Sequence, residues 1–414
     1  MRRTKAVARG TGGILALMLA LMLVLAGCGK EPRRAEGRLD TPDHHALRGH
    51  DFLDQGKYTD ARESFELALS LNKKYSPAQS GMAIVMAAKA QDHGLSKGQR
   101  EDIFKDARRM VKDALSNAAD KDEKRQAYVA MIRVHTLTRE PSDSWVKDAQ
   151  DAYEDALDED KKGDDPDPHF FMARAYRDGF EMQKAQDLYR KVLGMKSSRN
   201  AMADKEMAIV QKILRAEPGS LHGKIVAFAD SLTRADIAGL FIEELRLDKL
   251  FLRGNRGTPD NSFKPPAQSQ PTPFPADTLT KAPEAVDIDK HPLRADIKLI
   301  LELKVAGLEP DPAHRFNPNA NTNRAEFAMM VEDILVKVTG EEGLRTKFFG
   351  QNSPFRDVRG DVPYFNAVQV VTSRGLMDPR DKMNGIFGPL DPVAGADALL
   401  VIRMMKDELR SYVR

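Results

Sequence analysis

In the stretch HALRGHDFLDQGKYTDARESFELALSLN, residues 45–72, small and aromatic side chains recur at helical spacing: Gly49, Phe52, Gly56, Tyr58, Ala61, Phe65 and Ala68. This pattern predicts two helices with a turn at Gly56. Small residues let antiparallel helices approach closely, and aromatics fill the space between neighbouring pairs. One such pair cannot bury its own apolar face, so further pairs must stack on it. The same places are filled in PHFFMARAYRDGFEMQKAQDLYRKVL by Ala173, Tyr176, Gly179, Ala185 and Tyr189. Between the two, SPAQSGMAIVMAAKA, DIFKDARRMVKDALSNA, DEKRQAYVAMIRVHTL and SWVKDAQDAYEDAL are amphipathic helices with irregular connections. Strand signals are few from 42 to 216, so the expected class is mostly α.

These spacings resemble the tetratricopeptide repeat. The resemblance implies a helical solenoid over 42–200 whose groove presents a surface to a protein partner.

The N-terminus has a different character. A basic start, MRRTKAVARGTGG, leads into the apolar run Ile14 to Leu25, then Ala26, Gly27 and Cys28. As a helix that run spans about 18 Å, short of a hydrocarbon core of about 30 Å. It therefore reads as a secretory signal over 1–27. Leu25-Ala26-Gly27-Cys28 resembles the bacterial lipobox, which implies cleavage before Cys28 and acylation of that residue. Cys28 is the single cysteine of the chain, so it has no partner for an intrachain disulfide. Several acyl chains anchor firmly to a membrane where one does not. Gly29, where the resemblance would allow an aspartate, fits sorting to an outer membrane. Residues 28–41 are charged and aperiodic, a tether.

Of 64 basic residues, four lie in residues 1–27, leaving 60 against 62 acids. No segment concentrates basic charge on one face, so nucleic acid is not an expected partner.

A Pro-rich interval, 254–283, contains Pro259, Pro265, Pro266, Pro271, Pro273, Pro275 and Pro283. Proline at this density excludes helix and sheet interiors. Beyond it a second repeat emerges. FNPNANTNRAEFAMMVEDIL from Phe316 and FGPLDPVAGADALLVIRMM from Phe387 share a Phe-x-Pro turn. In each, Arg or Gly follows eight residues after the Phe, then Ala and an acid, then an apolar stripe. The stripes are Phe327, Ala328, Val331 and Leu335 in one, and Ala398, Leu399, Ile402 and Met405 in the other. Upstream of each lies a helix ending in glycine, Gly307 or Gly375, entered through Asp287 or through FRDV (Phe355 to Val358). ADSLTRADIAGLFIEEL is a partial third copy, with Ile237, Ala238, Phe241 and Leu245 as its stripe.

These units resemble S-layer homology motifs. The resemblance covers 201–414, with motifs at about 201–250, 286–340 and 355–412. It implies three helical motifs packed as one pseudo-threefold domain that attaches non-covalently to cell-wall polymer or peptidoglycan. Thr233 with Asp236, and Asn323 with Glu326, have capping-box spacing. Arg234 and Arg324 then occupy first helical positions, where a cation is disfavoured by about 0.3–1 kcal/mol. Two readings account for that. Each guanidinium, beside free helix-terminal amides, meets a wall anion; or each clamps a neighbouring motif through Asp230, Asp287 or Asp357. Thr233, Arg234, Asp236, Asn323, Arg324 and Glu326 are thus the expected polymer contacts. Tyr364 joins them, either stacked on a sugar face or packed in the core. Gly395 replaces the third arginine, and Trp145, the only tryptophan, lies in the first repeat region.

No nucleophile elbow, zinc-protease, P-loop or dinucleotide fingerprint occurs in the mature chain. Ser70 and Lys73 fit a four-letter S-x-x-K at a helix end. DEDKKGDDPD, from Asp158, is similar to a calcium loop, but Lys162 and His169 stand where ligands belong. No catalytic residue, metal or cofactor is expected. The expected protein is a non-enzymatic, lipid-anchored envelope adaptor. It grips wall polymer with its C-terminal half and a protein with its repeats. The alternative is an assembly factor for an outer-membrane complex, whose C-terminal half is only structural.

Overall fold

The computed structural model describes residues 33–35, 37–92, 94–254 and 284–412. The signal segment, Cys28 and all but the first residue of the Pro-rich interval lie outside the described residues. The described chain is mostly helical, without strands, and divides into two compact units between Ala175 and Tyr176. Among the described residues no helix is long and apolar enough to cross a membrane.

The first unit begins with α1 (Pro42–Asp54), α2 (Tyr58–Leu71) and α3 (Ser76–Ala88). It continues with α4 (Lys97–Asn117), α5 (Lys121–Thr138) and α6 (Trp145–Glu159). Each helix packs on the next, and α1 on α3 and α3 on α5 as well. The fully buried Phe65 ring explains part of the sequence pattern. A Cβ built on Gly49 of α1 would lie 2.5 Å from that ring, and one on Gly81 of α3 would lie 2.1 Å from it. The ring thus wedges between two helices that only glycine lets come so close. Asp160 stabilises the acidic loop after α6 by accepting from the amides of Gly163 and Asp165. α7 (Asp167–Asp178) runs across the division.

The second unit continues with α8 (Met182–Gly194), α9 (Asn200–Ala216), α10 (Leu221–Val226) and α11 (Arg234–Gly239). A π-turn, Leu240–Glu244, extends α11 before α12 (Leu247–Gly254). Then come α13 (Arg294–Leu303), α14 (Arg324–Thr339), α15 (Phe365–Ser373) and α16 (Gly395–Leu409). The three apolar stripes named above are buried throughout. Both expected capping boxes form: Thr233 Oγ1 accepts from Asp236 N and Asn323 Oδ1 from Glu326 N, while each acid receives its cap's amide.

Three backbone hydrogen bonds join the segments that lead into α11, α14 and α16. Leu232 N donates to Val393 O at 2.9 Å, Val393 N to Thr322 O at 3.2 Å, and Thr322 N to Leu232 O at 2.9 Å. The three bonds close a ring.

Candidate anion-binding site

The two arginines of the repeat do not face outward. Arg234 Nε donates to Phe316 O at 2.8 Å, Nη1 to Gly307 O at 2.7 Å and Nη2 to Glu309 O at 3.0 Å. Its guanidinium carbon sits 4.9 Å from the centre of the Phe316 ring. Arg324 repeats the arrangement, with Nε on Phe387 O at 3.1 Å, Nη2 on Asp378 O at 2.6 Å and the guanidinium 4.6 Å from the Phe387 ring. Burial depresses both arginines below the usual range. Arg324, with Arg380 beside it, falls to about 10.

The helix-terminal amides are occupied as well. Arg234 N and Ala235 N donate to Ala320 O and Pro318 O; Arg324 N and Ala325 N donate to Asp391 O and Pro389 O. The expectation of outward guanidinium groups beside free amides is therefore corrected at both helices. The clamping alternative is corrected in its chemistry too, because each arginine bonds backbone carbonyls and not Asp230, Asp287 or Asp357.

Two of those aspartates, Asp287 and Asp357, do a complementary job. Asp287 accepts from Phe316 N and Asn317 N at 2.8 and 2.7 Å, and Asp357 from Phe387 N and Gly388 N at 2.9 and 2.7 Å. Asn317 and Gly388 both hold positive φ, +56° and +71°. Asparagine and glycine tolerate that region best, which explains the middle letter of each Phe-x-Pro turn. Thr233, Asp236, Asn323 and Glu326 are occupied as caps. Tyr364 is half-buried at the start of α15.

Gly395 also has a structural reason. A Cβ there would lie 1.7 Å from Val226 O at the end of α10, and Gly395 N donates to Ala229 O at 2.8 Å. The third junction is made by direct backbone approach, leaving no space for an arginine.

What remains open is a cleft of about 200 Å³ beside Arg324, lined from α9, α14, α16 and the 375–380 loop. Lys212, Arg215, Arg324 and Arg380 bring four cations to it, against the two carboxylates Asp378 and Asp397. Phe327, Leu376 and Val401 give it an apolar floor. Arg215 is exposed and has no carboxylate partner among the described residues. Lys212 and Arg380 share Asp397, at 2.5 and 3.3 Å. Arg380 also pairs through Nε with Asp391 at 3.4 Å, and its Nη2 donates to Pro392 O at 3.1 Å. Lys212 and Arg215, one helical turn apart on α9, are site residues the sequence reading missed. On sequence alone, two charges on an amphipathic helix look like a solvated face.

The first unit has its own cavity of about 300 Å³ among α4, α5 and α6. Arg108 and Lys112 line one side, Asp148, Asp151 and Asp155 another, with Phe104 and Met131 between. Burial, then Asp158 and Asp151, push the Asp155 carboxyl upward. Among the described residues no group of three or more metal-ligating side chains is assembled.

Comparison with protein-family models, with curated proteins and with solved structures found no match to this chain.

Proposed function

We propose that this protein is an envelope adaptor whose second unit binds an anionic cell-wall polymer, and whose first unit binds a protein segment. The observation that carries the reading is the cationic cleft: four basic side chains on an apolar floor suit an acidic sugar or a wall phosphate. The hydrogen-bond ring at Leu232, Thr322 and Val393, with its repeated Asp–Phe–Arg junctions, supports an S-layer-homology-like, pseudo-threefold unit. Helices packing on neighbour and next-neighbour support a tetratricopeptide-like solenoid in the first unit. In this reading Cys28 carries the lipid, and the chain links a membrane to the wall from two attachment points, raising avidity. No chemical step is assigned to it.

The test is sedimentation of the full-length protein with purified sacculi, intact or stripped of phosphate-bearing polymers. Pelleting that falls with salt supports the reading. Retention only on intact sacculi assigns the ligand to phosphate, and equal retention assigns it to peptidoglycan. No pelleting with either removes it.

A second reading rests on the charged cavity of the first unit. There the repeats hold a partner during assembly of an outer-membrane complex, and the second unit is structural. Capture of a partner by a protein that ignores sacculi favours that reading.

A further inference from the structure

The three repeat acids are not used alike. Asp236 and Glu326 turn back to their caps, accepting Thr233 N at 2.9 Å and Asn323 N at 3.0 Å. Asp397 holds the same place in α16, but its cap is Ala394, which has no polar side chain. Its carboxylate points instead into the cleft, 2.5 Å from Lys212 Nζ and 3.3 Å from Arg380 Nη1. Lys212 lies 185 residues away in the chain, so the contact has no local origin. All three side chains keep partial access to solvent, about a third for each cation and 21% for Asp397. A pair so placed exchanges partners at small cost, unlike a dry buried one.

We infer that Asp397 is an internal stand-in for the ligand's anion, holding Lys212 and, together with Asp391, Arg380 in place until a carboxylate or phosphate of the polymer displaces it. This deepens the wall-binding reading and rests on it. The consequence is self-competition: the cleft binds more weakly than its cations allow, and only a ligand with further contacts to Arg215 and the apolar floor displaces the side chain. Isolated inorganic anions then bind poorly, which gives selectivity against free phosphate.

The test titrates the full-length protein with N-acetylmuramic acid and, separately, with inorganic phosphate, by calorimetry. The Asp397→Asn, Asp397→Ala and Asp397→Glu variants are compared with wild type, with thermal melts alongside. The expected result is a gain of about five- to tenfold in affinity for N-acetylmuramic acid in both neutral variants. Asp397→Glu should stay near wild type, and the relative gain for phosphate should be at least as large. Wild-type binding with unchanged or weaker binding in the neutral variants overturns this inference and leaves the wall-binding reading standing. Loss of the fold in both neutral variants assigns Asp397 to a structural ion pair and also overturns it. No binding of either anion by wild type or variants overturns both.

Discussion

Arg234 and Phe316 stand 82 residues apart in sequence, yet the arginine Nε donates to the phenylalanine carbonyl at 2.8 Å while the guanidinium covers its ring at 4.9 Å. Arg324 and Phe387 repeat the relationship at 3.1 and 4.6 Å. In each, an aspartate holds the same phenylalanine from its amide side. The turn is gripped at both faces of one peptide, and the cation at a helix start is offset by carbonyls, not by a ligand.

Truncation of these arginines should therefore register in stability. Arg324 is only 5% exposed, and Arg324→Ala leaves Phe387 O and Asp378 O without their donors. A cost of about 3 kcal/mol is expected, read by urea unfolding of the full-length protein. Arg234, half-exposed, should cost about 1–2 kcal/mol on the same grounds. Equal, negligible effects at both positions would contradict the clamp.

Asp357 and Arg324 never touch, yet both hold Phe387. A double-mutant cycle of Asp357→Ala with Arg324→Ala should show coupling of about 0.5–2 kcal/mol, because the first loss frees the turn the second would hold. Strict additivity would mean that the two contacts act independently.

At Gly395 the third arginine is sterically excluded. Gly395→Ala should destabilise by roughly 2–4 kcal/mol, since its Cβ would fall 1.7 Å from a backbone oxygen that cannot swing away. Gly395→Arg, which restores the repeat's sequence, should be worse. A melting temperature unchanged by either substitution would refute the close approach.

The helix starts at Thr233 and Asn323 were legible because a capping box is local, complete within four residues. The apolar stripes were legible for the same reason, each being the buried face of one helix. The fate of the arginines was not, because their acceptors are carbonyls 54 to 82 residues away, and backbone carbonyls leave no mark in sequence. Lys212 and Arg215 were invisible as a site for a related reason: α9 lies in the upstream part of the partial motif, where no residue pattern marks a binding face, and only the fold brings α16 against it. Gly395 read as a lost contact, although it is a different junction.

A pH dependence follows from His50 in the first unit, whose Nε2 lies 3.1 Å from Pro77 O and 2.9 Å from the Gln126 side chain. Burial first, then Arg133, depresses it from 6.5 to about 4. As pH falls, the unfolded chain takes up the proton before the folded one does. Stability is thus complete above about pH 6.5 and declines down to about pH 4, by up to roughly 3 kcal/mol. His50→Gln should remove that part of the decline in melts recorded across this window. An unchanged profile in the variant would place the acid sensitivity elsewhere.

The most direct measurement is the affinity of the full-length protein for soluble wall polymer, compared between wild type and the Lys212→Gln/Arg215→Gln variant at matched melting temperature. Binding at least about tenfold weaker is expected in the variant, equivalent to 1.4 kcal/mol, with the fold intact. Equal affinity in the two proteins would contradict it.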